Sequence, residues 1–312
     1  MVPCDFPVRL LLFLAVLVPL HAQSYPTARI PAGNPLTPEK VALGKKLFFE
    51  ARLSADGSIS CATCHDPKQA FADNRVLSVG VFGQQANRHA PSLVGRGFGT
   101  SQFWDGRAAT LEQQVVDPIL NPKEMGMSMD DVIARLQPDP AYAGLTAESL
   151  SMALASYVRT IRSVDSPFDR YMSPAGGGLS DLQREGLRLF RDKARCYICH
   201  SGDHFTDEMF HNTGISWRAG RLQDEGRAIV THRNFDKGAF KTPTLREIAN
   251  TAPYMHDGSV GSLDEVIEYY DRGGNANPYL DENIEPLHLS GEEKRALLAF
   301  LRALTGSVRD GL

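Results

Sequence analysis

Nowhere along the 312 residues do basic side chains gather into a run, and the formal net charge is −4. A nucleic-acid footprint is thereby excluded. Long apolar runs are scarce too. The run LLLFLAVLVPL at 10–20 falls short of the roughly 20 residues that cross a bilayer. It follows Arg9 and precedes LHAQ with its small Ala22, so residues 1–22 read as a secretory signal peptide. The mature chain is then expected to begin near Gln23, in the periplasm, with no membrane span. Strand signals are few and short, which excludes a sheet-built fold and predicts a mainly α one. Cysteine occurs five times, and Cys4 leaves with the leader. Four cysteines in an exported chain would ordinarily pair as disulfides. Their placement says otherwise.

The four stand in CATCH (61–65) and CYICH (196–200), each pair followed directly by a histidine. C-x-x-C-H is the signal for covalent attachment of a c-type haem, two thioethers fixing the ring and the histidine binding the iron. A redox dithiol or half a zinc site leaves the adjoining histidine unexplained, twice over. Two covalently bound c-type haems are therefore expected, on Cys61, Cys64 and His65 and on Cys196, Cys199 and His200.

The chain is also written twice. LTPEKVALGKKLFFE (36–50) and LSDLQREGLRLFRDK (179–193) both carry G-x-x-L-F, at Gly44 and Gly186. Thr37 with Pro38 marks one helix start, and Ser180 with Gln183 forms a capping box at the other. SMALASYVRTIRS (151–163) and EKRALLAFLRALTG (293–306) close the two halves, the second opened by Ser290 and Glu293. An internal duplication is implied: helix, haem motif, irregular middle, closing helix. SPAGGGLSD (173–181) is the Gly/Pro-rich break of linker type. It places two cytochrome c-like domains at 23–172 and 173–312.

With FWDGRAATLEQQ (103–114), NPKEMG (121–126), FHNTGI (210–215) and FKTPTLREIANTAPYMHDGS (240–259) added, the sequence resembles the bacterial di-haem cytochrome c peroxidase superfamily. The resemblance implies two cytochrome c-like helical domains with both haems facing their shared interface. It also implies that the N-terminal haem meets hydrogen peroxide and the C-terminal one relays electrons. On the matching motifs, the inter-haem tryptophan is Trp104, the active-site glutamine Gln114 and the acid–base glutamate Glu124. Peroxide must lose a proton from its near oxygen and gain one at its far oxygen, which one carboxylate beside an open haem face can do.

Two departures from the peroxidase pattern are informative. The loop position of the peroxidases' removable histidine, in LSVGVFGQ (77–84), is Val81, which cannot ligate iron. The axial methionine of the C-terminal haem, fourteen residues after the histidine of the His-Asp-Gly turn at 256, is Tyr270. In EVIEYYD (265–271) Val266, Ile267 and Tyr270 form a helix-like apolar set, with Tyr269 a packing neighbour. A phenolate ligand lowers a haem potential relative to methionine. One open haem beside a His/Tyr haem is similar to the MauG and MbnH enzymes, which use peroxide to oxidise tryptophan in a partner protein. An ordinary peroxidase drawing electrons from a small cytochrome c or cupredoxin is the second reading, and a non-enzymatic electron-transfer cytochrome the third.

The remaining candidates rank lower. Met255 is expected to pack, and His256 to hydrogen-bond near the C-terminal haem. His204, His211 and His232 read as loop histidines without a ligating role. The family's inter-haem calcium would use the carbonyls of Thr251 and Pro253, but its asparagine position is His89, and calcium prefers oxygen. MauG's surface tryptophan before the second haem motif is replaced by Ala194, leaving Trp217 and Tyr197 as exit candidates.

Overall fold

The architecture, taken from a computed structural model, is described for residues 28–174 and 176–312, and the leader read at 1–22 lies outside them. The first half runs α1 (Pro38–Phe48), α2 (Cys61–Cys64), α3 (Leu111–Gln114), α4 (Asp117–Leu120), α5 (Met129–Leu136) and α6 (Ala147–Thr160). After α7 (Pro167–Met172) come α8 (Asp181–Arg191), α9 (Ala228–Thr231), α10 (Leu263–Asp271) and α11 (Gly291–Arg302). Strands are two or three residues long: β1 (Arg162–Val164), β2 (Phe210–His211), β3 (Trp217–Arg218), β4 (Arg221–Leu222), β5 (Phe240–Lys241) and β6 (Ser307–Arg309). They pair as antiparallel ribbons β1–β6, β2–β5 and β3–β4. The fold is mainly α. Among the described residues no helix is long and apolar enough to cross a membrane.

The helix starts follow their capping residues. Thr37 accepts from the Lys40 N–H, and reciprocal capping boxes open α8 at Ser180–Gln183 and α11 at Ser290–Glu293. Each half then packs its opening helix on its closing one. Gly44 of α1 lies so close to the Ala153 carbonyl of α6 that a methyl would clash with it, and Gly186 of α8 lies likewise against the Ala296 carbonyl of α11. Behind each glycine an aromatic pair fills the crossing, Phe48 with Tyr157 (5.2 Å between centroids) and Phe190 with Phe300 (5.1 Å).

Two hydrophobic clusters result, one built from residues 41–161 and one from 168–304. Helix α7 lies on the N-terminal side of the expected linker, yet Phe168 and Tyr171 pack with the second cluster. Val308 of β6 packs with the first, because β6 returns to pair with β1. The chain thus crosses between halves at both places, a feature of tertiary pairing that local composition does not carry.

Candidate functional site

Two cavities lie on either side of one wall. The first is lined by Cys61, Cys64, His65, Gln114 and Glu124. The second is lined by Cys196, Cys199, His200, Met255 and Tyr270. Trp104, His89 and His256 border both. The indole N–H of Trp104 donates to the His89 carbonyl at 2.9 Å, and the His89 N–H donates to the His256 carbonyl at 2.8 Å. The wall is therefore a continuous hydrogen-bonded structure.

Donor chemistry in both cavities fits a haem. His65 Nδ1 donates to the Phe71 carbonyl at 3.1 Å and His200 Nδ1 to the Phe205 carbonyl at 2.8 Å. A carbonyl can only accept, so Nδ1 carries the proton and Nε2 keeps its lone pair for a metal. Burial lowers both imidazole pKa values and keeps the rings neutral, as ligation requires. Cys61, Cys64, Cys196 and Cys199 form no disulfide and stand two at each cavity. Tyr270, on α10, lies at the second cavity with Val266 and Ile267. Val266 and Ile267 also pack into the second core, and the buried residues of α10 are Leu263, Ile267 and Tyr269. The Tyr269 hydroxyl donates to the Thr213 carbonyl at 2.8 Å, while its ring packs edge-on to Tyr270 at 5.6 Å. Burial pushes the Tyr270 phenol up, so a phenolate there needs a cation beside it.

Gln114 ends α3, whose start is fixed by Thr110 accepting from the Gln113 N–H. Glu124 sits in a tight turn closed by its own N–H and that of Gly126, both donating to the Asn121 carbonyl at 2.9 Å. Asn121 Nδ2 donates to Glu124 Oε1 at 2.8 Å. Burial raises the Glu124 pKa, against the opposing pull of Asn121 and Arg107. Val81 is fully buried in the first core, and its N–H donates to the Glu124 carbonyl at 2.9 Å. The loop that bears a histidine in peroxidases is here fastened to the turn carrying Glu124. Asn121, and Gly80, whose added Cβ would strike the Lys123 and Glu124 carbonyls, were not singled out from the sequence.

Other histidines diverge from one another. His256 stacks on Phe240 at 3.5 Å, and burial pushes it down to about 4. His204 packs on Phe98 at 4.0 Å, with neither ring nitrogen hydrogen-bonded. His211 belongs to β2 rather than a loop, because residues 210–211 pair with 240–241, and it lies between Asp207 (2.9 Å) and Asp281 (2.6 Å). His232 is the left-handed C-cap of α9. His89 spends Nδ1 on the Arg75 carbonyl at 3.1 Å. It offers nitrogen where calcium wants oxygen, a misfit for that ion. Met255 packs at the edge of the second core, Ala194 is buried, and Tyr197 is exposed.

Comparison with known proteins agrees with this geometry. The family model described as Di-haem cytochrome c peroxidase matches residues 38–175. The chain is 42% identical over 285 residues to the methylamine utilization protein MauG of Methylorubrum extorquens, covering 88% of this chain and 80% of that protein. It is 31% identical over 301 residues to the cytochrome c551 peroxidase of Nitrosomonas europaea, covering 93% and 86%. A solved MauG-like protein associated with microbial copper homeostasis superposes with a TM-score of 0.85 at 32% identity, covering 91% of this chain and 94% of that one.

Proposed function

Since the chain belongs to the di-haem cytochrome c peroxidase family and is a peroxide-dependent oxidoreductase, we propose that it oxidises tryptophan of a partner protein, as MauG-type enzymes do. The haems would supply the redox chemistry when bound. Cys61 and Cys64 would hold the first haem and Cys196 and Cys199 the second, by thioether bonds. His65 alone would ligate the first iron, and His200 with Tyr270 the second.

Glu124 accepts the proton of the near peroxide oxygen and returns one to the far oxygen. A raised pKa suits both halves of that exchange, because the carboxyl holds a proton readily and releases it again. Gln114 orients peroxide by hydrogen bonding. Trp104, in the wall common to both cavities, is the crossing point for electrons between them. The parallel crossings of α1 on α6 and α8 on α11 support an origin by duplication, with the sequence boundary at 172/173 crossed by α7, which packs on the second half, and β6, which packs on the first. The leader read at 1–22 puts the enzyme in the periplasm.

The observation that carries this reading is Tyr270 at the second cavity where the peroxidases have methionine. Electron paramagnetic resonance of the ferric holoprotein tests it. One high-spin and one low-spin signal are expected, both lost together on adding peroxide, with the low-spin signal altered in Tyr270→Phe. An unchanged spectrum in Tyr270→Phe overturns the assignment. Similarity to a named peroxidase supports the second reading, which requires rapid turnover with reduced cytochrome c.

A further inference from the structure

Beside Trp104, in the wall of the second cavity, one buried ammonium has no hydrogen-bond partner among the described residues. Lys241 of β5 is only 7% exposed, and its backbone N–H is tied to the Trp104 carbonyl at 2.8 Å. Its side chain borders the cavity. The nearest carboxylate oxygen, Glu208 Oε1, is 3.6 Å from Nζ, beyond hydrogen-bonding distance. Glu208 is already engaged. It accepts from Arg96 Nη1 at 2.7 Å and Nη2 at 3.2 Å, and from the Thr100 N–H at 3.0 Å. Arg96 is itself 9% exposed and borders both cavities. Arg246 nearby is matched by Asp169 at 2.6 Å. Lys241 and Arg96 therefore share Glu208, while the Asp207 carboxylate that also acts on Lys241 is bonded to His211 at 2.9 Å. Among the described residues the Lys241 ammonium has no hydrogen-bond acceptor, and a desolvated donor calls for one. Burial, reinforced by the Arg96 charge, pushes the Lys241 ammonium down to about 7 against the pull of Glu208.

We propose that Lys241 and Arg96, counterbalanced by Glu208, seat the propionate carboxylates of the C-terminal haem against the Trp104 wall and thereby set that haem's reduction potential. The inference rests on reading this cavity as a haem site. With Cys196, Cys199, His200 and Tyr270 holding that haem, its two carboxylate substituents would fall to other groups, and the chain supplies buried cations at the same cavity. A charge-assisted bond of this kind is short and directional. A positive charge on Lys241 beside the ring disfavours the ferric state, so it opposes the lowering of potential by a phenolate ligand. Lys241 and Arg96 are positioning and tuning residues; neither exchanges an electron.

Spectroelectrochemical titration of the holoprotein, following the bands of the C-terminal haem, tests this. Lys241→Met should move the midpoint down and Glu208→Gln should move it up, while Lys241→Arg stays close to wild type. Opposite signs at neighbouring positions are what charge produces and what a packing defect does not. Should Lys241→Met fail to fold, Glu208→Gln and Lys241→Arg still decide the matter. Variants that carry two haems by the pyridine haemochrome assay yet titrate like wild type overturn the proposal. A wild-type protein with no haem at Cys196 and Cys199 overturns the haem-site reading itself.

Discussion

In the proposed reaction the partly buried carboxylate of Glu124 works in both protonation states, and the residues around it bear on that task. Among the described residues only its Oε1 is engaged, by Asn121. Glu124→Gln retains the size and the Asn121 contact but cannot move a proton. The stopped-flow rate of the peroxide reaction is expected to fall by about 10²- to 10⁴-fold, the usual share of general acid–base catalysis. Because burial raises the carboxyl pKa above its ordinary 4.5, the base form is lost on acidification at a higher pH than for a free glutamate. The acid limb of the wild-type profile should lie above pH 4.5 and disappear in Glu124→Gln. Glu124, Gln114 and Trp104 could be named from the sequence because each stands in a motif. Asn121 stands in the same motif but gives no chemical signal alone, and Lys241 becomes notable only once Glu208 and Arg96 are seen to be its neighbours.

The opening and closing helices of each half depend on a missing side chain. Gly186 sits under the Ala296 carbonyl with Phe300 alongside, so Gly186→Ala forces α8 away from α11. Alanine gains about 1 kcal/mol in helix propensity over glycine. Overpacking a tight contact costs about 1–3 kcal/mol, and a rigid carbonyl belongs at the upper end. A net loss of stability, seen as a lower denaturant midpoint with haem content unchanged, is the expected outcome. A midpoint at or above wild type would mean that the crossing gives way. These helices were legible because capping residues and G-x-x-L-F are local. The short strands were not, since β1 with β6 and β2 with β5 pair residues far apart in sequence, with no alternating pattern to announce them.

Across the whole molecule, the two halves are joined by ion pairs beside the shared wall. Arg88 of the first half bonds Asp105 at 2.6 Å and reaches Asp224 of the second at 2.6 Å, and Arg96 bonds Glu208 across the same boundary. Burial alone would raise Glu208, but Arg96 and Lys241 prevail and hold it down to about 2. A depressed acid contributes stability above its unfolded value of 4.5 and loses it as pH falls through the folded value. Acidification from about pH 4.5 to 2 should therefore weaken the joint between halves, read from the fluorescence of Trp104 at the wall. Glu208→Gln should lack that component of the transition; a transition identical to wild type would show that the pair does not couple the halves.

The two C-x-x-C-H motifs and the helix starts were legible in the sequence, because such a motif and a capping box each span only a few covalently adjacent residues. The family set of site residues was likewise readable as motifs. Only tertiary structure decided that α7 joins the second core, that β6 returns to β1, and that Lys241 meets Arg96 and Glu208. Each of these turns on which distant side chains exclude water together, and desolvation is a property of the packed neighbourhood.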